Sequence, residues 1–258
     1  MGKHNLVEED DYVPLKVKSD YTNMSAYYDM IMTSGYYDYQ AIVNDISKRS
    51  FSRMLELGCG TGLILHELGR RYPSAKIKGL DHTPAMLSIA RDRLQQFQNI
   101  SLSLQDVTTF QLDERYDLAF SYGGVWYFVI DGDNEPFMVS HLSEEGDNRR
   151  GLEQLASHIT PGGKLLLGVQ GPHHDYERPV SNGMTYKQKI FPSNHGFTKH
   201  YYLLDDKQVM MSQAIHYRTY AFQEALGLLK EHGFHYQPNG EYHGLFLEFN
   251  KSGDKNST

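Results

Sequence analysis

Apolar positions along the chain follow two periods. Leu63 to Tyr72 and Pro84 to Phe97 repeat at helical spacing, the second through Met86, Leu87, Ile89, Ala90 and Leu94, with Thr83 as N-cap and Pro84 at the first helical position. Short apolar runs between and after them read as strands: Arg53 to Leu57, Lys76 to Leu80, Ile100 to Leu104, Tyr116 to Ser121 and Lys164 to Leu167. Strands alternating with helices predict an α/β fold with right-handed crossovers and a ligand site at the carboxyl ends of the strands. Residues 171 to 219 break that rhythm. Met184 to Phe191, Phe197 to Leu204 and Val209 to Tyr217 read as three β segments, joined by Pro192-Ser-Asn-His-Gly196 and the turn Asp205-Asp206, and so as an antiparallel flap over the sheet. The chain returns with a helix from Ala221 to His232, stopped by Gly233, and a last strand from Tyr242 to Phe249. The expected organisation is one domain over 21–251 with the flap inserted at 171–219. A charged arm at 1–20 and a polar tail at 252–258 have little to bury and are expected to fray.

The sharpest local signal is Arg53-Met-Leu-Glu-Leu-Gly-Cys-Gly-Thr-Gly62, followed by Asp81 at the end of the next strand. Glycine at 58, 60 and 62 suits a sharp turn, a close approach of backbone to ligand and a helix N-terminus aimed at it. Asp81 can accept two hydrogen bonds from a ribose diol. Alone, such a loop is often only a turn, and such an Asp only a helix cap. In this order they point to a nucleoside site. A dinucleotide fingerprint would place its third glycine at position 63, where Leu63 stands, and this weakens the case for NAD.

The pattern Glu56-x-Gly58-x-Gly60-x-Gly62 resembles the first motif of the class I S-adenosylmethionine-dependent methyltransferases. Further landmarks follow in the family's order: Asp81, then Gln105-Asp106-Val107, then Tyr116-Asp-Leu-Ala-Phe-Ser121, then Pro161-Gly-Gly163 ahead of Lys164 to Leu167. The resemblance covers roughly residues 21 to 249. It implies a Rossmann-like, doubly wound, mostly parallel seven-stranded sheet with one antiparallel strand, and the flap after the fifth strand. It also implies S-adenosyl-L-methionine as cofactor and S-adenosyl-L-homocysteine as product. By this likeness Glu56, Gly58, Cys59, Gly60 and Gly62 meet the methionine part, Asp81 and His82 the ribose, and Asp106 and Val107 the adenine. Ser121, Met86 and Tyr21 complete the cofactor set.

The flap, and Tyr27-Tyr28-Asp29 followed by Gly35-Tyr-Tyr-Asp-Tyr39, are similar to the small-molecule branch, in particular the deoxyamino-sugar N-methyltransferases and glycine N-methyltransferase. That likeness places Tyr28 at the reaction centre, although arm aromatics can equally be a hydrophobic strap. Where the sugar enzymes carry a histidine base after the fourth strand, this chain has Val125 within Phe120-Ser-Tyr-Gly-Gly-Val-Trp-Tyr-Phe128. His173 and His174 are the alternative histidine candidates for catalysis; adjacent histidines rarely face one ion, so no metal is expected there. Tyr37, Tyr122, Trp126, Tyr127 and His216 are the candidate acceptor wall, and the aromatic part could also face a cationic amine. Val139 to Asp147 reads as a solvated loop over the rim.

Composition narrows the field. A formal charge of −7 over 258 residues, with no Lys/Arg run denser than Arg149-Arg150, argues against a nucleic-acid partner. A single cysteine, Cys59, excludes an intramolecular disulfide; between two glycines it reads as a small buried hydrophobe. Nothing reads as a signal peptide, acylation signal or membrane span, so a cytoplasmic protein without a membrane partner is expected, with a homodimer possible. The expected activity is methyl transfer to an N or O of a small molecule. The alternatives are O-methylation of a phenol or carboxylate, and a cofactor-binding protein that does not methylate, whether a regulatory subunit or a cyclase.

Overall fold

The computed structural model describes residues 21–238 and 244–253. The arm at 1–20, most of the tail and the beginning of the last expected strand lie outside the described residues.

Seven strands form the central sheet: β1 (Arg53–Leu57), β2 (Lys76–Asp81), β3 (Ile100–Leu104), β4 (Tyr116–Ser121), β7 (Ile159–Gln170), β12 (Phe234–Gln237) and β13 (Phe246–Lys251). They run in the order β3-β2-β1-β4-β7-β13-β12, with β13 antiparallel to both of its neighbours and the pairs from β3 to β7 parallel. This is the sheet that the resemblance implies, reversed strand included. Its strands are apolar on both faces because helices cover both. Leu55, Leu57, Leu165 and Leu167 pack with α5 (Glu145–His158) and α6 (Phe222–Glu231). Met54, Leu118, Phe120 and Leu166 pack with α2 (Tyr39–Ile46), α3 (Leu63–Arg71) and α4 (Pro84–Leu94). Pro84 opens α4 as expected, while the Thr83 side chain makes no cap hydrogen bond.

The flap is larger than its pattern suggests. It holds four strands, β8 (Tyr176–Pro179), β9 (Thr185–Ser193), β10 (Gly196–Asp205) and β11 (Gln208–Ala221), and β11 pairs with a hairpin of β5 (Trp126–Val129) and β6 (Phe137–Ser140). β5 in turn pairs with the end of β7 through Phe128–Val169 and Val129–Gln170, so the second sheet grows from the first. The β5/β6 hairpin corrects the expected loop. All four residues of β5 are buried, which leaves no alternation to read, and the stretch expected to be solvated holds buried Val139 and Ser140 and the start of α5. A third apolar cluster fills the space between the flap and α1 (Ser25–Thr33), with Met24, Ile31, Tyr186, Leu203 and Ile215. No helix among the described residues is long and apolar enough to cross a membrane.

One buried side chain joins the hairpin to α5. The Asn148 Oδ1 accepts from Trp126 Nε1 (2.8 Å) and Ser140 Oγ (2.6 Å), and its Nδ2 donates to the carbonyls of Leu142 and Glu144 (2.8 and 2.9 Å). Asn148→Leu leaves the buried Trp126 Nε1–H and Ser140 hydroxyl without their acceptor. It is expected to lose about 3–5 kcal/mol, at ~1–3 kcal/mol per orphaned group, seen as a lower urea midpoint with an unchanged slope.

Candidate active site

The site begins where β1 and β2 end. The backbone N–H groups of Gly58 and Cys59 both donate to the Leu80 carbonyl, at 2.8 and 3.0 Å. The Asp81 carboxylate then accepts from Gly60 N (2.8 Å) and, with its other oxygen, from Thr83 N (2.8 Å). Gly58 has φ +71°, and a Cβ there would stand 3.0 Å from Gly124 Cα and 3.3 Å from Val125 N, so the exit of β4 presses directly on this loop. Gly62 serves a different purpose. Its Cβ would meet Leu94 Cδ1 at 2.8 Å, which makes this glycine a packing position between α3 and α4.

Helix α1 is fastened over the loop by a small polar clamp. Arg93 on α4 pairs with Asp29 on α1 and donates to the Thr61 carbonyl, and Thr61 Oγ1 donates to Asp29 at 2.5 Å. The clamp fixes Tyr28, the preceding residue, above the glycine loop.

Three adjoining spaces result. The outer one, about 240 Å³, is lined by Gly58, Asp81, His82, Asp106, Val107 and His141 among others. A second, about 20 Å³, lies between Glu56, Gly58, Cys59, Tyr28, Tyr37 and Tyr122. A third, about 30 Å³, is bounded by Tyr21, Tyr28, Tyr37, Tyr127, His141 and Lys199, with Tyr201 and Tyr217. Gly58 belongs to the first two spaces, His141 to the first and third, and Tyr28 and Tyr37 to the last two, so they form one cleft divided by side chains. A larger depression, about 530 Å³, lies along β3 between Lys76, Lys78 and Glu114. It shares only Gln105 with the cleft and carries no comparable cluster of buried polar groups.

The electrostatics differ along the cleft. Glu56 is buried with one carboxylate oxygen unpartnered, and burial, aided by the Asp81 charge, pushes its pKa well above the usual carboxylate range. Ser121 Oγ is also buried without a partner. Such orphaned acceptors at the strand ends fit a ligand that brings its own donors and positive charge. Burial raises the phenols of Tyr28, Tyr37 and Tyr127 well above their ordinary values, so they act as hydroxyl donors and walls, not as phenolate bases.

At the inner end, Tyr21 and Tyr201 both hydrogen-bond Tyr217 Oη, at 2.8 and 2.5 Å. Lys199 Nζ lies 3.1 Å from His173 Nδ1, and His173 Nε2 lies 3.0 Å from Tyr127 Oη. An ammonium can only donate, so Nδ1 accepts and the Nε2–H tautomer donates to Tyr127. Burial lowers Lys199 to about 7. Burial and then Lys199 lower His173 to about 3, and the same two causes lower His141 to about 3.

The sequence-based candidates divide by position. Gly58, Asp81, His82, Asp106 and Val107 meet in the outer space, Glu56, Cys59 and Tyr122 in the second, and Tyr21 and Tyr127 in the third, with Tyr28 and Tyr37 shared. Gly60 sits at the loop through its bond to Asp81. His173 stands behind Tyr127. The other candidates point elsewhere. Trp126 is fully buried against Gly151 of α5, and Met86 is buried on α4. His174 is exposed, with a carbonyl bound by Gln188. His216 bonds Thr198 on the outer face of the flap, because alternation along β11 sends Ile215 and Tyr217 inward. Lys199 and His141 were missed. A lone Lys in a β segment reads as solvent-facing, and the His141 stretch read as loop; the only available signal was the parity of Lys199 with Phe197, Tyr201 and Leu203.

Residues 54–163 match the family described as a methyltransferase domain. A trans-aconitate 2-methyltransferase of Deinococcus radiodurans is 31% identical over 136 residues, 53% of this chain and 43% of that protein. A malonyl-[acyl-carrier protein] O-methyltransferase of Ilyobacter polytropus is 26% identical over 165 residues, 62% of this chain and 55% of that protein. The chain thus spans about half the length of these curated relatives. Among solved structures, an S-adenosylmethionine-bound amino pentose methyltransferase of Micromonospora echinaspora superposes with a TM-score of 0.64 at 19% identity, covering 88% of this chain and 97% of that one. A sugar N-methyltransferase of Streptoalloteichus gives 0.63 at 17% identity, covering 97% and 100%. At such identities the structural likeness is one of fold. Residues 54–163 therefore match a methyltransferase domain, and the chain shares the Rossmann-like fold of these solved methyltransferases.

Proposed function

We propose that this protein transfers the methyl group of S-adenosylmethionine to a nitrogen or oxygen of a small molecule. The observation that carries the reading is the single cleft in which Asp81, the Gly58–Gly60 loop and the unpartnered Glu56 carboxyl converge at the strand ends. S-adenosylmethionine, when bound, supplies an electrophilic methyl carbon on a sulfonium.

The chain's part is to hold and orient. Asp81 and His82 would take the ribose, Asp106 and Val107 the adenine, and Glu56 and the Gly58 loop the methionine end, where a cationic amine would relieve the cost of a buried acid. Tyr28, shared between the second and third spaces, would stand beside the transferring methyl. Aligning two reactants in a closed, water-poor site can supply ~7–11 kcal/mol of the barrier. Each inner space has about the volume of one water molecule, so loading requires α1 and its clamp to withdraw. That closure favours a small acceptor over a polymer. The names of the relatives include a malonyl-[acyl-carrier protein] O-methyltransferase, a trans-aconitate 2-methyltransferase and a sugar N-methyltransferase, which leaves the acceptor atom to be decided by the inner space.

Calorimetric titration with S-adenosylmethionine and S-adenosylhomocysteine tests this reading. One-to-one binding of both is expected, and binding of neither would refute it. Asp81→Ala is expected to weaken both by about 2–4 kcal/mol, roughly 30- to 1000-fold, through the loss of charge-assisted hydrogen bonds; unchanged affinity would remove Asp81 from the site. Gly58→Ala must hold a left-handed backbone at a cost of ~1–2 kcal/mol and forces Gly124 away. At least about tenfold weaker cofactor binding is expected, with near-native circular dichroism.

A further inference from the structure

The inner space contains a buried charge that the cofactor does not explain. Lys199 is 2% exposed, and its ammonium has no carboxylate within ion-pair distance among the described residues. Its neighbours are His173 Nδ1 and the ring faces of Tyr201 and Tyr217, each centroid 5.7 Å from Nζ. No Asp or Glu lines this space. Burying an ammonium without a counter-charge is costly, and the cost is recovered when an anion enters beside it. The remaining groups suit an anion too: Tyr21, Tyr201 and Tyr217 form a hydroxyl cluster next to Lys199. A protonated amine would meet an uncompensated positive charge, and Lys199 already lies over two of the ring faces that could have cradled it.

Resting on the reading of this cleft as the methyl-transfer site, we propose that the acceptor is a small carboxylic acid, held as its anion by Lys199 and the adjoining tyrosine hydroxyls, and methylated on a carboxylate oxygen. The oxygen bonds to the methyl carbon as the carbon–sulfur bond breaks and its electron pair passes to sulfur. The carboxylate and sulfonium charges cancel, giving a methyl ester and a neutral thioether. No proton leaves the acceptor, so no base is needed.

Nine titratable groups share this space with Lys199 or touch it: His173 from the β7 exit, His141 at the end of β6, Tyr127 of β5, Tyr21 before α1, Tyr28 of α1, Tyr36 and Tyr37 between α1 and α2, Tyr201 of β10 and Tyr217 of β11. Burial holds both histidines near 3 and raises all seven phenols, which leaves Lys199, at about 7, as the member that changes charge near neutral pH. An anion beside it raises its proton affinity. Binding at about pH 8 should therefore take up a proton, and affinity should fall by up to about tenfold per pH unit above 7.

The test titrates the S-adenosylhomocysteine-saturated protein with a panel of carboxylates, from acetate through malonate and trans-aconitate to 4-hydroxyphenylacetate, each with its matched amide and amine. Calorimetry at about pH 8 in two buffers of different ionisation enthalpy counts the protons. A carboxylate is expected to bind about 10- to 100-fold tighter than its amide or amine, the range for a hydrogen bond to a charged group, with proton uptake. Lys199→Met should abolish both the preference and the uptake while leaving S-adenosylhomocysteine affinity unchanged. Where that variant does not fold, the wild-type proton count decides alone. Tighter binding of an amine, carboxylate binding without proton uptake, or no carboxylate binding beside intact cofactor binding would each overturn the acceptor assignment and spare the cofactor reading. Failure of S-adenosylhomocysteine itself to bind would overturn both.

Discussion

Asp81 is the point on which the geometry of the cleft depends. Its two oxygens take the N–H groups of Gly60 and Thr83, while Gly58 and Cys59 close onto the Leu80 carbonyl. The loop leaving β1 and the loop leaving β2 are thereby one rigid unit. A carboxylate already held by two backbone donors has little freedom to reorient, so its remaining lone pairs are aimed before any ligand arrives. The close approach of Gly124 to Gly58 adds the third strand end to that unit. Everything else in the cleft is placed relative to this corner.

The covering layer is built differently. Helix α1 rests on apolar contacts to the flap and on the Asp29–Thr61–Arg93 clamp, and the flap itself is an extension of β7 through β5. The floor is thus a continuous parallel sheet sandwiched by helices, whereas the roof is a single short helix and an antiparallel sheet held at one edge. A cleft of this construction combines a fixed corner with a cover that has fewer ties to break.

Charge is sorted along the cleft. The acids Glu56 and Asp81 stand at its outer and middle parts, and the buried Lys199 stands at its inner end among phenols and neutral histidines. In a low-dielectric interior such sorting favours a cationic group at one end and an anionic one at the other. The same burial that makes His141 and His173 poor bases keeps them neutral donors and acceptors, so the inner end is organised for recognition more than for proton removal.

The sequence by itself determined the central sheet, the crossover helices and the Gly58–Asp81 corner, because each depends on contiguous patterns. Short apolar runs set β1 and β2, the first ending at the glycine loop and the second at Asp81, 3.6-residue spacing set α3 and α4, and one loop with one following Asp set the corner between the strand ends. The flap was legible as β structure from its alternation. Its union with Trp126 to Ser140 was not, since a strand buried on every side has no period to read. Only the tertiary structure decided which side chains face the inner space. It turned Trp126 into the core beneath α5, sent His216 to the outer face and left His174 exposed, while it brought Lys199, His173 and Tyr127 together from segments far apart in the chain. The physical reason is that burial and charge pairing belong to the space between elements. Local spacing fixes which face a residue occupies, but only packing fixes what that face meets.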